Sequence, residues 1–160
     1  MNVDKLPKVE HVGIIVPDIE KARAELRKLF GDRPGLDFVY DFYPDRVWTD
    51  GKEISEKCQL RICMIDWVDG MKMEVLQPIL GNNVEHAKFI SEIGGGLHHI
   101  AYYVREGFPE YRRYLLDQGA RILFESETED DRGYRRCCYL KCPDSGVVVE
   151  IAEPPKPFQK

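Results

Sequence analysis

Several things are scarce or absent in this 160-residue chain, and each absence excludes something. No apolar run approaches the ~20 residues that a membrane-spanning helix needs. The opening residues, MNVDKLPKVEH, lack the apolar segment of a secretory signal, so the expectation is a soluble, cytoplasmic protein without membrane contact. Positive charge is not in excess. The 23 Lys and Arg are outnumbered by 28 Asp and Glu, a formal net charge of −5, which argues against a general nucleic-acid binder. An anionic ligand would need a local basic patch. The cluster RGYRR, with Arg132, Arg135 and Arg136, offers charge for phosphates but reads more readily as a solvated strand face and turn. Cysteine is limited to Cys58, Cys63, Cys137, Cys138 and Cys142, an odd number with no CxxC pair. That excludes a zinc ribbon and a disulfide framework, and strand cysteines are then read as small core hydrophobes rather than redox thiols. Histidine is limited to four residues, two of them adjacent.

What is present is an internal repeat. HVGIIVPD begins at His11 and HIAYYVRE at His99, an offset of 88. Both read His, apolar, small, apolar, apolar or aromatic, Val. MEVLQP at 73–78 and VEIAEP at 149–154 match at an offset of 76. The first half therefore carries about a dozen extra residues, and the turn-rich YPDRVWTDGKE, 43–53, is the place for them.

Each half reads as strand, helix and three strands. In the first, VEHVGIIV is a strand. Asp18 caps a helix whose Ile19, Ala22, Leu26 and Leu29 share one stripe, with Gly31 and Pro34 ending it. LDFVYDF, KCQLRICMID and MKMEVLQ are strands, the last two joined by a turn at WVDG. In the second, LHHIAYYV is a strand and FPEYRRYLLDQ a helix with Phe108, Tyr111 and Leu115 inward, ended by Gly119. RILFE, YRRCCYLKC and VVVEIAE complete the set, and the proline-rich EPPKPFQK is expected on the surface. Together these predict one α+β domain over 1–160. It comprises a module at about 8–80, a linker helix at about 84–93 and a second module at about 97–154.

The repeat selects one histidine and one glutamate in each half: His11 with Glu74, and His99 with Glu150. Two imidazoles and two carboxylates suit a divalent transition metal of intermediate softness. Glu150 lies in the almost wholly apolar GVVVEIA, where a carboxylate is costly to bury unless paired or bound to metal. The adjacent histidines must point to opposite strand faces. His99 has a counterpart in His11, whereas His98 corresponds to Glu10, so His99 is the expected ligand.

The paired βαβββ modules and the His…Glu…His…Glu order resemble the vicinal oxygen chelate superfamily, over about residues 8–154. HVGIIVPDIEKA, MEVLQP and GGGLHHIAYYV most resemble its methylmalonyl-CoA epimerases. The resemblance implies a cupped mixed sheet with pseudo-twofold symmetry and one divalent ion held by His11, Glu74, His99 and Glu150. Cobalt, nickel, zinc and manganese are not distinguished. It also implies a non-ligand glutamate between the second and third strands of the first half. EISEKCQL fits that stretch and points to Glu53, with Glu56 and Asp41 as competitors. The implied activity is proton abstraction beside a thioester carbonyl, with the enolate stabilised by the metal. Glu150 would serve one face of the substrate and Glu53 the other. The same ligands suit glyoxalase I, a lyase acting on a glutathione hemithioacetal, so the substrate is either an acyl-CoA or a glutathione adduct. A non-catalytic small-molecule or metal-binding module is the third alternative. A full ligand set argues against a dioxygenase, and also against a drug-binding module that keeps no ligands. A homodimer is the usual assembly of the superfamily.

Overall fold

In the computed structural model, which describes residues 6–155, the first helix begins as its sequence dictates. The Asp18 carboxylate accepts from the backbone N–H groups of Glu20 and Lys21, both at 3.1 Å. These are two of the donors that a helix start leaves without intrahelical partners. The same bonds hold the Asp18 carboxyl below its usual pKa.

Along the chain the elements are β1 (Val9–Ile15), α1 (Ile19–Phe30), β2 (Val39–Phe42), β3 (Arg46–Thr49), β4 (Lys52–Ile54), β5 (Gln59–Val68) and β6 (Met71–Leu80). They continue with α2 (Glu85–Ile93), β7 (Gly96–Tyr103), α3 (Phe108–Asp117), β8 (Arg121–Asp130), β9 (Gly133–Lys141) and β10 (Val148–Ala152). The described residues divide into two compact units, one of residues 10–43 and 56–98, the other of residues 6–9, 44–55 and 99–155. The tail expected on the surface falls largely in 156–160, outside the described residues.

In the first unit the strands run β2-β5-β6-β1. β1 and β6 are parallel, while β6 with β5 and β5 with β2 are antiparallel. One face of these strands packs on α1, burying Ile19, Leu36, Cys63, Ile65 and Val75. The helix stripe differs from expectation at its end. Leu29 is 63% exposed, and the last turn is anchored instead by Phe30, edge-on to Trp67 at 4.7 Å. A stripe of 19, 22, 26 and 30 keeps the helical period without Leu29. The WVDG turn places Asp69 and Gly70 at φ 47° and 76°, two successive left-handed residues that suit a tight hairpin.

In the second unit the order is β7-β10-β9-β8-β3-β4. β7 and β10 are parallel, and the remaining pairs are antiparallel. Cys138, Leu140, Val149 and Ile151 face α3, where they bury Phe108 and Leu115. The dozen extra residues are more than a turn. They contain β3 and β4, a short hairpin whose β3 pairs with β8. All five cysteines are free thiols. Cys63 and Cys138 are fully buried core residues, and burial pushes both thiols above their usual pKa.

Gly35, in the loop after α1, has a φ of +92°, and a Cβ there would run into the Met64 carbonyl oxygen. Gly94, at the end of α2, has a φ of +87° with open space around it. Gly94→Ala should cost about 1 kcal/mol, the left-handed strain alone. Gly35→Ala should cost about 2 kcal/mol or more, because strain and collision add. Urea unfolding of the two variants measures the difference, and equal losses would show that the Met64 carbonyl imposes nothing on Gly35.

Candidate functional site

Both units place a histidine and a glutamate at the same register. In the first unit Glu74 lies opposite Gly13, and His11 is two residues before Gly13. In the second, Glu150 lies opposite Ala101, and His99 is two residues before Ala101. Parallel pairing of a first strand with a last strand therefore sets each imidazole diagonally beside a carboxylate. His11 Nε2 is 3.4 Å from Glu74 Oε2, and His99 Nε2 is 3.0 Å from Glu150 Oε2.

All four side chains are buried, with Glu74 8% and Glu150 6% exposed. The alternate residues of the same strands explain why. Val75 belongs to the α1 core, and Val149 and Ile151 to the α3 core. The glutamates are thus held on the face of each sheet that the helices do not cover. Each pair is a donor set of imidazole nitrogen and carboxylate oxygen that a divalent ion could use. This chemistry fits a borderline metal better than a hard one, because half of the donors are imidazole.

Further groups shape the second pair. Tyr139, opposite Glu150 in β9, stacks on the His99 ring with centroids 4.7 Å apart and 26° between planes. Phe124 packs on Tyr139 at 5.4 Å. The Cys137 thiol donates to Glu150 Oε1 at 3.1 Å. Tyr139 and Cys137 were not singled out by the sequence, because only the β9–β10 register reveals that they share a face with Glu150.

His98 takes the opposite course from His99. Its Nε2 is 3.3 Å from Glu85 Oε1, and its ring meets Phe89 edge-on at 4.9 Å, with His86 at 6.3 Å. It is occupied by α2.

The structure separates Glu53 from the His99–Glu150 pair. Glu53 pairs with Trp48, Trp48 with Glu125, Glu125 with Cys138 and Cys138 with Ile151. Directly opposed residues share a face, so Glu53 stands on the α3 side of the sheet. Both of its oxygens receive Arg46 at 2.9 Å, which holds the carboxyl below the usual glutamate range. Its two competitors are also engaged. Asp41 is bound by Arg61 at 2.9 Å and lies opposite it, in the row beside Cys63, on the α1 side. Glu56 accepts from the backbone N–H groups of Asn82 and Asn83 and from the Asn83 side chain. Two of the three arginines of RGYRR are similarly committed: Arg135 to Asp130, and Arg136 to Glu153 while lying over the Phe108 ring at 4.6 Å.

The chain is similar to several known proteins. An ethylmalonyl-CoA/methylmalonyl-CoA epimerase of Cereibacter sphaeroides is 29% identical over 91% of this chain and 97% of its own length. The crystal structure of methylmalonyl-CoA epimerase from Mycobacterium tuberculosis superposes with a TM-score of 0.57 at 20% identity, covering 96% of this chain and 95% of that one. A variant of Streptomyces coelicolor methylmalonyl-CoA epimerase, in complex with 2-nitronate-propionyl-CoA, gives a TM-score of 0.55 at 20% identity, covering 93% and 98%. These structures share the vicinal oxygen chelate fold. The model of the glyoxalase/bleomycin resistance protein/dioxygenase superfamily matches residues 10–139, and the chain belongs to that superfamily.

Proposed function

We propose that this chain is a metal-dependent isomerase of the methylmalonyl-CoA epimerase type, with His11, Glu74, His99 and Glu150 as ligands of one divalent ion. The observation behind the reading is the His–Glu pair, buried and repeated at one register in both halves. A carboxylate kept from water on an apolar strand needs a cationic partner to offset its lost hydration, and a divalent ion supplies one. The acyl-CoA substrate is inferred from the epimerase relatives.

An ion held there supplies Lewis-acid stabilisation of negative charge on substrate oxygens. The remaining chemistry belongs to the chain. Glu150 is the acid–base residue on one face of the substrate, with His99 and Tyr139 fixing its surroundings. Glu53 is left out of this reading, since it lies across the sheet in the grip of Arg46.

Three measurements test the proposal. In deuterated buffer, the wild-type protein should exchange the 2-hydrogen of methylmalonyl-CoA, lose this activity on dialysis against a chelator, and regain it with a divalent ion. Glu150→Gln should reduce exchange by about 10²–10⁴-fold, the range of a general base. A protein that leaves methylmalonyl-CoA untouched but isomerises the methylglyoxal–glutathione adduct is instead a lactoylglutathione lyase.

The adjacent histidines give a second, activity-free test. His99→Ala should abolish stoichiometric metal uptake by folded protein, and His98→Ala should leave it near the wild-type level. Equal metal loss in both variants would mean that the ligand had been assigned to the wrong strand face.

A further inference from the structure

We infer that Cys137 is a positioning residue for Glu150, fixing which carboxylate oxygen is available as a ligand. This rests on the metal reading above. β7, β10 and β9 are adjacent strands, and Glu150 stands on the middle one. Its two oxygens are drawn to opposite sides. Oε2 lies 3.0 Å from His99 Nε2, and Oε1 accepts the Cys137 thiol proton at 3.1 Å. Cys137 pairs with Ala152, two residues beyond Glu150, so the thiol reaches Oε1 along the diagonal of one sheet face.

The consequence is a division of labour within one carboxylate. An oxygen that accepts a hydrogen bond from the thiol is turned away from the imidazole and from an ion beside it. Glu150 would then bind through Oε2 alone. A carboxylate free to rotate could offer both oxygens and fill an additional coordination position.

The internal repeat supplies a built-in comparison. Glu74 is opposite Met64 as Glu150 is opposite Tyr139. Ile62, opposite Leu76, occupies the place equivalent to Cys137. Isoleucine has no donor, so only one of the two glutamates has a thiol at this position. The glutamate so equipped is the one proposed to move a proton.

Groups that orient metal ligands from behind change metal affinity by about 10–100-fold when removed, and a thiol is a weak donor. The expected effect is therefore at the lower end. Cobalt(II) titration of metal-free wild type, Cys137→Val and Cys137→Ser tests this, with affinity and the cobalt d–d spectrum as readouts. Valine is close in size and has no donor. Serine restores an O–H. The expected result is about tenfold weaker cobalt binding with an altered spectrum for Cys137→Val, and near wild-type behaviour for Cys137→Ser.

Unchanged affinity and spectrum in Cys137→Val would overturn the inference. So would equal weakening in both variants, which would mark a packing role. An intense thiolate-to-cobalt charge-transfer band in wild type would also overturn it, by making Cys137 a ligand itself. Wild type that takes up no cobalt would instead bring down the metal reading on which the inference stands.

Discussion

The arrangement depends on one costly act, the burial of carboxylates on strands whose neighbouring residues enter apolar cores. Taking an ionised carboxylate out of water costs several kcal/mol unless charge and hydrogen bonds compensate. The fold meets this cost by using the two faces of each strand differently. Along β10, Val149 and Ile151 enter the core under α3, and Glu150 between them points the other way. Along β6, Val75 enters the core under α1, beside Glu74. The helix-covered faces provide the hydrophobic stabilisation, at roughly 1.5–3 kcal/mol for each large side chain fully buried. The opposite faces can then hold polar groups that would not fold on their own.

The doubled histidine shows the same logic in two residues. Strand alternation sends His98 and His99 apart, and each finds a carboxylate: Glu85 for His98, Glu150 for His99. Their environments differ in kind. His98 lies between helix residues, against Phe89 and near His86. His99 is held by a stacked tyrosine and a strand glutamate. His99 and Glu150 stand on adjacent strands, β7 and β10, tied by backbone pairing, whereas the carboxylate that meets His98 is carried by α2.

Much of this was legible in the sequence because it rests on short-range periodicity. The repeat of HVGIIV and HIAYYV, and of MEVLQP and VEIAEP, singles out His11, Glu74, His99 and Glu150, which strand pairing sets side by side as one His–Glu pair in each unit. The shared two-residue stagger, Gly13 with Glu74 and Ala101 with Glu150, sets each histidine beside its glutamate although the first half carries about a dozen extra residues. What escaped depends on partners far away in the chain. Residues 43–53 carried turn signals, but their pairing with β8 rests on a strand some 80 positions away. Glu53 fell on a three-residue strand, too short to show which face it uses. Cys137 was one of five cysteines with no local mark. Its bond to Glu150 exists only through the β9–β10 register, whereas Cys138 beside it is core.

The face assignment also limits the acid–base chemistry. Among the described strand residues of the Glu150 unit, the acidic side chains are Glu53, Glu125, Glu127, Glu129, Asp130 and Glu150. Pairing puts Glu53, Glu125 and Glu127 on the α3 side, and Glu129 alternates with Thr128 onto that side too. Asp130 shares the Glu150 side, but at the hairpin end, where Arg135 lowers its carboxyl to about 2. A carboxyl so acidic is a poor proton acceptor at neutral pH. Among the described strand residues of this unit, no second carboxylate is therefore suited to oppose Glu150 in the role proposed for it. On the proposed epimerase reading, a two-sided reaction would draw its other acid from outside these strands or from a non-carboxylate group. A single glutamate moving a proton within one face of the substrate needs no such partner, but it moves the proton between atoms without inverting the centre that it deprotonates. The two cases leave different isotopic records. A two-residue epimerisation delivers a solvent-derived proton to the inverted centre, whereas a one-residue shuttle returns part of the original hydrogen. The fate of that hydrogen thus reports directly on the geometry of the sheet around Glu150.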